Sequence, residues 1–120
     1  MATLTPTLKL ESIDTTTDTL SLSVTDSLTV TSPSVDTARV TLTTNTTDLV
    51  GTGSTSITYL YAKNTDSTQT VILEQTADAK AFADLSPGEF CFFPVKGTKG
   101  VRAKSDASTA VLEYGYWTKG

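Results

Sequence analysis

Leu20-Ser21-Leu22-Ser23-Val24-Thr25-Asp26-Ser27-Leu28-Thr29-Val30 carries an apolar residue at every even position except Asp26 and a hydroxyl residue at every odd one. A period of two places all even side chains on one side of an extended chain. The stretch therefore reads as strand, with one face on a core and a hydroxylated face in water. The same alternation continues outward. Upstream, Leu4, Leu8 and Leu10 alternate with Thr, Pro6, Lys9 and Glu11; downstream, Ala38, Val40 and Leu42 alternate with Arg39, Thr41 and Thr43. Pro33, Asn45–Asp48 and Gly51–Ser56 supply the turn chemistry between the runs.

The second half has a different pattern. In Ile57–Ala62, Val71–Leu73, Phe90–Val95 and Ala110–Trp117 both parities are apolar or aromatic. Strands of that kind are covered on both faces: one by the domain's own core, the other by loops, a ligand or a neighbouring subunit. Leu85-Ser86-Pro87-Gly88-Glu89 reads as a turn with Pro second and Gly third. Gly97-Thr98-Lys99-Gly100 reads as a hairpin loop before a strand at Val101–Lys104, with Ser105–Ser108 turning back to the last strand. Residues 77–84 hold enough Ala for a helical turn, but Phe82 and Leu85 are too few for an amphipathic helix. The expectation is an all-β chain of about eight or nine short strands. They form an antiparallel β-sandwich of the jelly-roll or Ig-like kind. It spans residues 1–120 as one domain, with 1–12 as an N-terminal arm or edge strand.

Composition narrows the chemistry. Thr and Ser make up 38 of 120 residues, against 18% charged residues and no histidine. Without histidine, Ser-His and Cys-His nucleophile pairs and His-ligated zinc or haem are excluded. One cysteine, Cys91, excludes an intramolecular disulfide and any multi-Cys metal knot; flanked by aromatics, it reads as a small buried hydrophobe. The abundance of Val, Ile, Thr, Tyr and Phe argues for a folded sheet protein rather than disorder. The net charge of −4 and the scarcity of clustered Lys and Arg argue against nucleic acid. No apolar run is long enough for a membrane helix. The N-terminus lacks a secretory signal pattern, so synthesis in a cytoplasm is expected.

Three glutamates, Glu74, Glu89 and Glu113, sit in or beside aromatic strands and are the candidates for a carboxylate pair of glycosidase type. The parity of Glu113 groups it with Val111 and Gly115 and suggests an inward position. No second acid stands at a readable spacing, so no enzyme is expected. Asp14…Asp18 and Asp78…Asp84 lack the acidic pattern of a calcium loop and read as solvated turns. Asn45-Thr46-Thr47 matches a glycosylation acceptor, as chance allows in so Thr-rich a chain. No cofactor or metal site is expected. The candidates that remain are contact residues: the aromatics Tyr59, Tyr61, Phe90, Phe93, Tyr114, Tyr116 and Trp117, and the cations Lys96, Lys99 and Arg102 beside Lys104. Tyr and Trp join an apolar body to a polar tip, which suits protein interfaces and sugar-stacking platforms.

The runs Tyr59–Asp66, Leu85–Phe90 leading to Phe93–Gly97, and Val111–Trp117 are similar to small virion structural proteins of tailed bacteriophages. In that group a YLYxKN strand precedes an LxPGEF turn, an FFP strand and a terminal LEYGYW strand. The resemblance covers residues 57–119 and is structural. It implies a β-sandwich subunit on a phage particle, most readily a capsid decoration or cement protein. Its partners would be the major capsid protein or another virion protein, and further copies of itself, with a trimer favoured. A carbohydrate-binding or host-attachment module, with Tyr116 and Trp117 stacking on a glycan, is the alternative.

Overall fold

A computed structural model describes residues 2–14, 17–31, 35–53 and 56–120. Pro33 and parts of the Gly51–Ser56 and Asp14–Asp18 stretches lie outside the described residues. The chain forms two compact units, residues 1–32 with Gly120, and residues 33–119. The described residues are all-β and hold no helix.

The described residues of the larger unit form eight strands: β5 (Val35–Leu42), β6 (Thr47–Val50), β7 (Thr58–Asn64), β8 (Val71–Glu74), β9 (Ala81–Leu85), β10 (Phe90–Val95), β11 (Val101–Ser105) and β12 (Ala110–Thr118). They make two antiparallel four-stranded sheets, ordered β10-β7-β12-β5 and β6-β11-β8-β9. The pairings nest. First pairs with last (β5–β12), second with seventh (β6–β11), third with sixth (β7–β10) and fourth with fifth (β8–β9). A long hairpin wrapped over itself gives this order, which resolves the sandwich as a jelly roll rather than an Ig-like fold. All eight strands send side chains into one core, among them Leu42, Leu49, Leu60, Val71, Leu85, Val95, Val101 and Leu112.

Nesting corrects one local expectation. Gly97–Gly100 is no hairpin, because β10 lies in one sheet and β11 in the other, and the return from β11 to β12 crosses back. The Ala-rich 77–84 segment is as expected, no more than one turn, in which Ala79 N–H donates to Gln75 O at 2.9 Å, and the chain then enters β9 and pairs with β8. The turn at Ser86–Glu89 is as expected: Glu89 N–H donates to Ser86 O at 2.9 Å, and Gly88 takes φ +83°. That conformation is why glycine occupies the third position.

The inner ends of the sheets are tied by Asn64, which is fully buried. Its Nδ2 donates to Gln69 O (2.7 Å) and Leu85 O (2.8 Å), and its Oδ1 accepts from Asp66 N–H (2.9 Å). Asp66 in turn accepts from the N–H groups of Gln69 and Thr68. Those backbone bonds hold its carboxyl below the ordinary value of 3.8, and the Lys99 ammonium does the same for Asp78. A depressed folded-state pKa favours the ionised fold, so this stability is present above pH 3.8 and is lost as pH falls through the folded values. Melting midpoints should therefore fall below the carboxylate range, and by less in an Asp66→Ala/Asp78→Ala variant. Equal acid sensitivity in variant and wild type would contradict it.

The smaller unit contains β1 (Ala2–Leu4), β2 (Thr7–Ser12), β3 (Leu20–Thr25) and β4 (Leu28–Val30). β1 pairs with β4, and β2 with β3. Residues 1–12, expected as an arm or edge strand, thus supply β1 and β2. The run at 20–30 is two strands, separated at Asp26, whose N–H donates to Pro6 O at 3.1 Å. Here the expectation of a buried face holds at Val30, 2% exposed, and fails along β3. Leu20, Leu22 and Val24 are 40%, 44% and 51% exposed, because a two-stranded ribbon has no second layer of its own to cover it.

Candidate aromatic interface

The sheet β10-β7-β12-β5 has two unlike faces. Leu60, Ala62, Leu112 and Val40 face the core, and Cys91, Phe93, Tyr114 and Tyr116 pack against the same core. The alternate residues face outward. Register places Pro94, Tyr59 and Trp117 in one row, Phe92, Tyr61 and Gly115 in the next, and Phe90, Lys63, Glu113 and Arg39 in a third. Of the aromatics singled out in the sequence, Tyr59, Tyr61, Phe90 and Trp117 therefore share this outer face. Phe93, Tyr114 and Tyr116 are on the other side, because they keep the parity of Leu60 and Leu112.

Phe92, absent from the sequence candidates, belongs to the outer set. It stacks on Tyr59 with centroids 6.2 Å apart and planes at 16°. Phe-Cys-Phe-Phe offers aromatics in both parities, so only the register with β7 assigns Phe92 outward and Phe93 inward. Phe90 and Phe92 are 60% and 37% exposed, whereas Tyr59 is buried. Trp117 lies over Gly115: a Cβ there would stand 3.1 Å from Trp117 Cη2. Any side chain at 115 would push the indole back by a few tenths of an ångström.

Polar groups border this patch. Tyr61 Oη donates to Glu113 Oε1 at 2.9 Å, and Arg39 Nη2 is 3.6 Å from Glu113 Oε2. Burial first, then the Glu113 carboxylate, raises the Tyr61 pKa above its ordinary value and keeps the phenol protonated. Glu113 thus faces outward, contrary to its expected inward position; Val111 and Gly115, which share its parity, are outer residues. Glu89 Oε1 accepts from Ser86 N–H at 2.7 Å. Each of the three glutamates serves a local structural bond.

In the other sheet, β6-β11-β8-β9, a charge cluster joins β8 and β11. Glu74, almost fully buried, meets Arg102 Nε at 2.6 Å and Lys104 Nζ at 3.7 Å. Arg102 stands across from Asp48 on its other flank. The cationic cluster of the sequence is therefore divided: Arg102 and Lys104 serve Glu74, while Lys99 pairs with Asp78 at 2.9 Å and Lys96 is exposed. Arg102→Ala leaves a buried carboxylate with one distant partner and should cost about 2 kcal/mol in denaturant unfolding. Replacing both Arg102 and Glu74 with Met should recover most of it; a larger loss in the double variant would contradict the pairing.

Cys91 is half-buried, and burial pushes its thiol up, which makes it a weak nucleophile. In comparisons with family models, curated proteins and solved structures, the chain matches none of them.

Proposed function

We propose that this chain is a non-enzymatic virion structural protein that decorates or cements the outside of a phage capsid. It is made in the host cytoplasm, acts as a homo-oligomer with threefold symmetry, and meets the shell through the outer face of β10-β7-β12-β5. One observation carries the reading: Phe90 and Phe92 lie exposed beside Tyr59, Tyr61 and Trp117, while β8 and β11 of the opposite sheet carry the Glu74 ion pairs on their outer side. Exposed aromatic clusters rimmed by polar groups mark protein contacts. The jelly roll adds weaker support, since capsid proteins and lectins both use it. The test is co-sedimentation of the purified protein with phage particles that lack it. Saturable binding supports the reading; a monomer that stays in the supernatant at every concentration overturns it.

A second reading rests on Trp117. Its indole lies over Gly115 beside Tyr59, with the Tyr61–Glu113 pair at hand for hydroxyls, an arrangement that suits a sugar ring. Under it, glycan-array binding falls about tenfold or more in Trp117→Ala; no glycan binding by the wild type contradicts it.

A further inference from the structure

Two apolar surfaces outside the aromatic face have complementary charge. The first is the β2–β3 ribbon. Leu8 lies opposite Val24 and Leu10 opposite Leu22. All four, and Leu20, are 40–51% exposed on one face. A two-stranded ribbon gains little stability in water with such a face bare. Its segment, residues 1–32, is acidic: Lys9 stands against Glu11, Asp14, Asp18 and Asp26, with Asp14 and Asp18 in the connection between the two strands.

The second is a cleft of about 640 Å³ lined by Phe82, Ala83, Cys91, Phe93, Val95 and Val101. It lies where β9 and β10 end their sheets, so each has an edge without a neighbouring strand. Phe82 and Phe93 meet edge to face at 5.8 Å inside it. Lys96 and Lys99 line one end. Asp78, which holds Lys99, also feels Lys80, so this end carries a net positive charge. Asp84 shares one hollow with Phe82 and Ala83 and another with Glu89 beside Phe90, away from Lys96 and Lys99 in sequence and in lining.

We propose that the β2–β3 ribbon of one copy seats its Leu and Val side chains in the β9/β10 cleft of the next copy, with Asp14 and Asp18 at the lysine end. Charge selects this contact over the alternative. Packing two ribbons face to face would bring two acidic segments together, whereas seating a ribbon in the cleft sets carboxylates against Lys96 and Lys80. The contact joins unlike surfaces, so it repeats head to tail and closes into a ring when the rotation allows. It uses none of Phe90, Phe92 and Trp117, and it holds whether or not the chain belongs to a virion.

The test uses the full chain. Sedimentation velocity should show an oligomer that dissociates in Leu10→Ser/Leu22→Ser. Cys91, which lines the cleft, should react with a maleimide about tenfold more slowly in the wild-type oligomer than in that variant, as a seated ribbon excludes the reagent. Lys96→Glu should weaken association about fivefold, and adding Asp14→Lys should restore most of it. The charge pair reports on the contact even if the serine variant fails to fold. The proposal is overturned by a monomeric wild type, by an oligomer in which Cys91 reacts as fast as in the monomer, or by a charge exchange that restores nothing.

Discussion

Asn64→Ala lowers the unfolding free energy of the larger unit by about 3 kcal/mol and its melting midpoint by roughly 10–20 °C. The side chain is fully buried and makes three hydrogen bonds, to Gln69 O, Leu85 O and Asp66 N–H. Alanine removes all three bonds and leaves two carbonyls and one amide without their partner, the Leu85 carbonyl in a buried position. Each orphaned buried group costs about 1 kcal/mol or more. Its backbone is engaged as well, with Asn64 N–H on Glu89 O and Gly88 N–H on Asn64 O, both at 2.9 Å. The residue therefore fixes the turn that carries the chain from β9 to β10 and so positions Phe90. Denaturant unfolding checks the number. A loss under about 1 kcal/mol would mean the bonds are replaced by water.

The second large effect concerns contact rather than stability. Phe90→Glu/Phe92→Glu should weaken binding to particles about a hundredfold or more, the scale of losing two aromatic anchors and burying charge in their place. Phe90 projects into solvent, and Phe92 gives up one stacking contact with Tyr59. The stability cost should stay near 1 kcal/mol. Ala107→Glu, in the exposed turn after β11, is the control for general charge effects and should leave particle affinity within about threefold. Binding that survives the double variant would move the contact off this face.

The sequence made the strand class legible through parity. The two-sided runs at 57–62, 71–73, 90–95 and 110–117 lie in or overlap β7, β8, β10 and β12, because a strand in a sandwich core advertises apolar residues on both sides when its outer face also has work to do. Parity alone could not say which side was which. In β10, Phe92 and Phe93 have the same chemistry and opposite fates, decided by pairing with β7. In β12, Leu112, Tyr114 and Tyr116 share the core side and displace Glu113 to the surface. Connectivity was hidden for another reason. The turn at Gly97–Gly100 has the same residue chemistry whether it closes a hairpin or crosses between sheets, and only the nested partners of β10 and β11 decide. The exposed Leu20, Leu22 and Val24 show the converse limit: alternation marks a face that suits a core, and says nothing about whether the core is in the same chain.

The hydroxyl-rich composition also gains a location. Of 26 threonines, 19 fall in residues 1–60, whereas all the tyrosines but Tyr59, all the phenylalanines and Trp117 lie in residues 61–120. Two chemically different faces on one jelly roll then give a simple physical rule for orientation. The face with exposed aromatics loses water most favourably on contact, and the face whose carboxylate is already satisfied by Arg102 and Lys104 has little to gain.

Electron microscopy of whole particles bearing this chain tests that rule most directly. Density for the jelly roll is expected on the outer surface of the shell, with β10 and β7 facing the capsid and Phe90 and Phe92 at the contact. Density with Asp48, Arg102 and Lys104 against the shell, or particles with no such density at all, would contradict it.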